Sequence, residues 1–212
     1  MTVAETSSVE TEYDGELAII RFNRPASRNS LSYDTLTNLA AVFNDISAQD
    51  KIRTIIFTGS GDVFASGADL REIAALKSDQ VQARLFSERG QKIFQTIADA
   101  RQLTIAAING YCMGGALDLA LACDIRIASS TAIFAHPGAS LGIITGWGGT
   151  QRLPRLIGPA RAAELFFTAK RFTAAEALQI GLVSSLADPI LDHAIQIASE
   201  QERGGRFLRH LS

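Results

Sequence analysis

Twice along this chain a short run of β-branched and apolar residues hands over to a helical stretch through a glycine turn. The first place is FTGSGDVFASGADLREI, where a strand over 54–58 runs through the turn into a helix beginning near Ala68. The second is IAAINGYCMGGALDLALACDIRIAS, where Gly114 and Gly115 precede a helix carrying Asp118. Strand, turn and helix repeated in that order point to an α/β domain. A helix start also offers free backbone N–H groups at the positive end of the helix dipole, which favour an oxygen gathering negative charge. Two such turns facing each other would make an oxyanion hole. Any one of these glycines taken alone needs to do no more than make a tight turn.

The rest of the chain keeps this alternation. Strands are expected over 17–22, 54–58, 104–108, 124–128, 132–135 and 182–186. A helix follows Ser32, its N-cap, with Leu36, Leu39, Ala40, Phe43 and Ile46 on one stripe. Another covers 79–100, weakened in its middle by Gly90. Thr173 and Glu176 have capping-box spacing, and Gly181 closes that helix. A last helix over 190–201 buries Leu191, Ala194, Ile195 and Ala198. The organisation expected is a flexible leader over 1–12, a core over 13–188, and a short C-terminal helical segment and tail over 189–212.

Composition closes off several classes of function. With 20 basic against 22 acidic side chains, a net charge of −2 and no basic block, no nucleic-acid partner is expected, since one would need a concentrated electropositive face. Its most apolar stretch, 110–123, is broken by Asp118 and falls short of the roughly 20 residues that span a bilayer, so no membrane segment is expected. Two cysteines in 212 residues need not be a disulfide, and with an acidic N-terminus unlike a signal peptide they suggest the cytoplasm. His136, His193 and His210 are scattered, so no metal site is expected.

Several segments together resemble the enoyl-CoA hydratase/isomerase, or crotonase, family. NRPASRNSLS is similar to its N-terminal motif, FASGADLREI to its first oxyanion segment and AAINGYCMGGALDLALACDIRIAS to its second. LGIITGWGGTQRLPRLIG and TAAEALQIGLV match as well. The resemblance implies a crotonase-like (ClpP/crotonase) spiral of ββα units, assembled as a homotrimer or a dimer of trimers. It also implies an acyl-CoA thioester substrate of fatty acid metabolism and no cofactor beyond the coenzyme A of the substrate. Related chains usually continue past the helix ending near Gln201, so a shortened lid and trimer contact are implied here.

The same resemblance assigns roles. The thioester oxygen falls to the N–H groups of Ala68 and Gly115, within turns that include Gly67 and Gly114. Asp69 matches an acidic position beside the CoA-binding turn, and Arg24, Arg28 and Ser66 lie in segments that meet the nucleotide part of CoA. Of the two glutamates that deliver water in the hydratases, the first position holds Asp118 and the second Gly138, which cannot carry a proton. Asp118 is then a single general base. His136 would share a strand face with position 138 and is a possible acid or base. Gly142 and Trp147 belong to the segment bordering the acyl group, although the core is the favoured place for Trp147.

Hydration or isomerisation of an enoyl-CoA is the activity expected; one base with no second acid suits isomerisation, whereas hydration is the commoner reaction in the family resembled. A different reading is a non-catalytic member that only binds acyl-CoA after losing its second acid. A third is a serine hydrolase, since Gly138–Ala139–Ser140–Leu141–Gly142 spells G-x-S-x-G, with Asp188 and His193 following in order. Against it, LGIITGWGGTQ is too glycine-rich and β-branched to open the helix that a nucleophile elbow needs.

Overall fold

A computed structural model describes residues 7–76 and 79–204, with side chains up to residue 200. The first six residues and the tail from 205, His210 included, lie outside the described residues. Chain order is β1 (Val9–Asp14), β2 (Leu17–Phe22), α1 (Tyr33–Ser47), β3 (Thr54–Gly59), β4 (Val63–Ala65), α2 (Leu70–Leu76), α3 (Gln80–Ala98), β5 (Leu103–Ile108) and β6 (Tyr111–Met113). Then come α4 (Gly115–Ala122), β7 (Ile125–Ala128), β8 (Ile133–Ala135), α5 (Gly149–Ile157), α6 (Pro159–Thr168), β9 (Arg171–Thr173), α7 (Ala174–Gln179), β10 (Ser185–Leu186) and α8 (Ile190–Gly204).

The strands form two sheets, ordered β1-β2-β3-β5-β7-β10 and β4-β6-β8-β9. From β2 to β10 the larger sheet is parallel, and β4, β6 and β8 are parallel in the smaller. Each successive pair, β3–β4, β5–β6 and β7–β8, gives one strand to each sheet before the chain enters helix. That is the spiral of ββα units implied by the resemblance. Every turn of it brings a strand-to-helix junction to the same edge, which is how the two glycine turns come to meet.

Parallel strands covered on both faces read as continuous apolar runs. In β3, Ile55 and Phe57 join the main core with Phe22, Phe43 and Phe64, while Ile56 faces the other way. There it meets Ile19, Ile105 and Ile127 beneath Ile190, Ala194 and Ala198 of α8. The C-terminal helix therefore closes a face of the larger sheet; Leu191 and Ile195, expected to be buried, are only partly so.

Local signals behave as their chemistry requires. Ser32 caps α1 by accepting from Thr35 N, and Asp79 caps α3 by accepting from Val81 N and Gln82 N. Thr173 and Glu176 make the reciprocal capping box of α7. The helix expected near Ala68 begins at Leu70, where Asp69 Oδ1 accepts from Arg71 N.

Three expectations need correction. The leader placed over 1–12 overlaps β1, which pairs antiparallel with β2 from Val9↔Phe22 to Asp14↔Leu17. Only Val9 of β1 is buried, so this edge strand lacks an apolar signature. The strand expected over 182–186 contracts to Ser185–Leu186. Helices α5 and α6 went unanticipated, because a glycine-rich entry, Pro154 and Gly158 mask their period.

Candidate active site

The two glycine turns are built by backbone that closes on itself. Leu31 N donates to Gly67 O at 2.8 Å, and Ser66 N to Arg28 O at 3.0 Å, so the first turn is held by the loop that follows β2. Gly67 has φ +88°, and a Cβ there would stand 2.5 Å from Met113 O and 3.0 Å from Gly115 N. In the second turn Gly114, at φ 53°, donates to Ala135 O at 2.9 Å. A Cβ on Gly115 would be 3.5 Å from Ala68 N. The Ala68 and Gly115 N–H groups are thus neighbours, and neither has a hydrogen-bond partner among the described residues. Two adjacent free donors, one at the start of an apolar helix, can hold an oxyanion.

Trp147 fixes this arrangement from behind. Its ring edge occupies the space a Gly115 side chain would take, and its pyrrole side occupies the corresponding space at Gly90. Phe86 and Phe94 of α3 contact it at centroid distances of 5.2 and 5.6 Å. Trp147 is consequently a core side chain, and the weak point at Gly90 in α3 is room for an indole.

Asp118 lies one turn into α4 and is 0% exposed. Thr145 Oγ1 donates to its Oδ2, and His136 Nε2 lies 3.0 Å from its Oδ1. Those last two atoms are off a hydrogen-bonding angle and have no other partner among the described residues. His136, 3% exposed, follows β8 at the start of the next turn and rests against Phe166 at 4.9 Å between ring centroids. Position 136 therefore meets the carboxylate directly. Buried Cys112 stands in the same field: burial, then the Asp118 charge, pushes its thiol well above the ordinary range. Thr145 was not anticipated, yet it is the one hydroxyl in the apolar, glycine-rich run LGIITGWGG.

Gly138 occupies a tight turn, Pro137–Leu141, that ends at Gly142 in the left-handed region. Ile143 N donates to Gly138 O at 3.0 Å, and a Cβ on Gly138 would stand 2.6 Å from Ile143 O. The direction a second acid would take is filled by backbone. Gly142, Ile143 and Ile144 beyond it are exposed.

The other candidates divide. Arg24 turns inward, donating to Ser32 Oγ at 2.9 Å and Thr35 Oγ1 at 3.2 Å, whereas Arg28 is exposed. Asp69 Oδ2 accepts from Ser30 Oγ at 3.3 Å, and Ser66 is half-buried. The hydrolase constellation does not assemble. Ser140 sits in the 3-10 turn, Asp188 accepts from Ser129 and Ser130, and His193 pairs with Ser185 Oγ at 3.1 Å.

A cleft of about 790 Å³ lies between α3 and α5, lined by Gln91, Lys92, Gln95, Arg152 and Arg155. It borders the site through Thr145–Gly148 only; Ala68, Gly115 and Asp118 are not among its walls. Among the described residues no helix is long and apolar enough to cross a membrane.

Known proteins share this arrangement of chain. The sequence pattern of the enoyl-CoA hydratase/isomerase family matches residues 12–207. A short-chain-enoyl-CoA hydratase of Clostridium acetobutylicum is 39% identical over 199 residues, 92% of this chain and 76% of that protein. A crotonyl-CoA hydratase of Syntrophomonas wolfei is 42% identical over 204 residues, 95% of this chain and 78% of that protein. Among solved structures, Pseudomonas aeruginosa DspI superposes with a TM-score of 0.88 at 36% identity, covering 95% of this chain and 83% of that one. An enoyl-CoA hydratase from Bacillus anthracis gives 0.87 at 38% identity, covering 91% and 76%.

Proposed function

Because the chain belongs to the enoyl-CoA hydratase/isomerase family, we propose that it is an enzyme that shifts the double bond of an enoyl-CoA thioester, with Asp118 as its single proton carrier. The Ala68 and Gly115 N–H groups take the thioester oxygen. Asp118 accepts a proton from one carbon, the electron pair moves onto the held oxygen as an enolate, and the same carboxyl returns the proton to another carbon. One preorganised donor to the oxyanion is worth roughly 3 kcal/mol in such chemistry, and a positioned general base about 10²- to 10⁴-fold in rate.

The observation that carries this reading is the pair of unpartnered N–H groups beside a helix that delivers one carboxylate, with backbone where the second acid would be. Hydration of the double bond is the second reading, favoured by the hydratase names of the relatives at 39 and 42% identity. In either, coenzyme A arrives with the substrate, Arg28 and Ser66 face its nucleotide end, and no further cofactor is called for. Two buried free thiols suit a reducing cytoplasm. The family's trimer, or dimer of trimers, is the assembly we assign.

Incubation with a 3-enoyl-CoA and with crotonyl-CoA, wild type beside Asp118→Asn, tests the proposal. The 3-enoyl ester should be converted to the 2-enoyl ester, and the variant should be slower by about 10² or more. Water addition to crotonyl-CoA at a comparable rate would favour hydration. Tight thioester binding with neither ester converted would make the protein a binder.

A further inference from the structure

A carboxylate removed from water is costly unless its oxygens are faced by donors, and a free rotor is a poor base. Asp118 is completely buried, and its two oxygens face two different side chains. Thr145 donates to Oδ2 from the loop before α5, and His136 Nε2 stands 3.0 Å from Oδ1 at the end of β8. His136 also contacts the Phe166 ring of α6, at 4.9 Å between centroids. The same short segment that brings His136 to Asp118 turns Gly138 into the Ile143 backbone, so gaining the imidazole and losing the second acid are one local arrangement.

We propose that His136 is a positioning residue for Asp118, and that Thr145, Asp118 and His136 act as one unit in place of a second carboxylate. The proposal rests on the reading that Asp118 is the base. His136 Nε2 and Asp118 Oδ1 are both buried and otherwise unpartnered, 3.0 Å apart, so a small turn of the imidazole would present Nε2–H to Oδ1 and leave each carboxylate oxygen a lone pair for the substrate proton. During a turnover the substrate C–H bond breaks and an O–H bond forms on Asp118. The electron pair resides on the thioester oxygen, and the reverse transfer at the other carbon restores the carboxylate. The imidazole keeps its proton throughout. Its contribution is to hold the carboxyl plane, where a small misplacement costs rate.

The test measures kcat and KM with a 3-enoyl-CoA for wild type, His136→Ala and His136→Gln. The alanine variant should lose about 10- to 100-fold in kcat with KM little changed. Glutamine, which keeps an N–H donor at that place, should recover most of the loss. Variants that only melt at lower temperature, with kcat per folded molecule unchanged, would overturn the proposal, as would a rise in KM alone. Nitrogen spectra of histidine-labelled protein without substrate give an independent readout: a protonated Nε2 on His136, with a resonance that moves in Asp118→Asn. An unmoved resonance would overturn the pairing. A wild type inactive on every ester with the resonance shift present would instead refute the assignment of Asp118 as base.

Discussion

Gly90 looks like a fault when α3 is read as a sequence, since alanine in a helix interior is worth up to about 1 kcal/mol over glycine. Next to Trp147 the sign reverses. Gly90→Ala puts a methyl group into the indole and should destabilise the fold by about 1–3 kcal/mol, as overpacking does; urea unfolding beside wild type measures it, and a gain in stability would contradict the packing. Cys112 and Cys123 are free and buried. Burial raises both thiols, Cys123 to about 12, so neither carries thiolate near neutral pH. A thiol-specific reagent should leave both unmodified in the native protein and label both in denaturant, and fast native labelling of either would contradict this. At residue scale the sequence was informative where chemistry follows backbone. That the turns at Ala68 and Gly115 start helices, and that Asp118 sits in an apolar one, could be read because glycine turns and a carboxylate among apolar residues are written in one dimension. The meeting of His136 and Thr145 with Asp118 depends on β8 and the loop before α5 arriving at α4 together. No local pattern encodes that.

Elements were legible in proportion to how strongly burial patterns them. α1 and α3 carry wide apolar stripes and side-chain caps, and both lie where their period puts them. β1 is mostly exposed and exists because β2 offers an open edge, while β4 and β6 have three residues each, too few to show alternation. The junction into α8 gives a prediction of its own. Asp188 accepts from Ser129 Oγ at 2.6 Å and from Ser130 Oγ and N at 2.5 and 3.2 Å, tying the approach to α8 to the turn after β7. These bonds hold its carboxyl below the usual range. A depressed folded-state pKa means that the stabilisation is complete above the unfolded value of about 3.9 and is lost as pH falls through the folded one. The melting temperature of Asp188→Ala should therefore lie below wild type near neutral pH, with the gap closing in acid. A gap that stayed constant down to low pH would show that the carboxylate charge is not its source.

At the scale of the molecule, the larger sheet is buried on both faces, by α8 on one side and by the main core on the other. What stays open is apolar in places: Phe167 on α6 is 81% exposed and Ile144, beside the site, 69%. In the trimer we assign, light scattering should give three times the 22.7 kDa of one chain, or six. A monodisperse species at 22.7 kDa would refute that assembly. Trp147 has a consequence at this scale too. Because its ring fills the notch of α3 at Gly90 and the notch of α4 at Gly115, the two helices are keyed to each other like wards to a lock. Both helices thus pack against one ring, which Phe86 and Phe94 of α3 also contact. In the site we propose, stiffness along α3 would set the aim of the Gly115 N–H, and loosening that helix far from the substrate should blunt it.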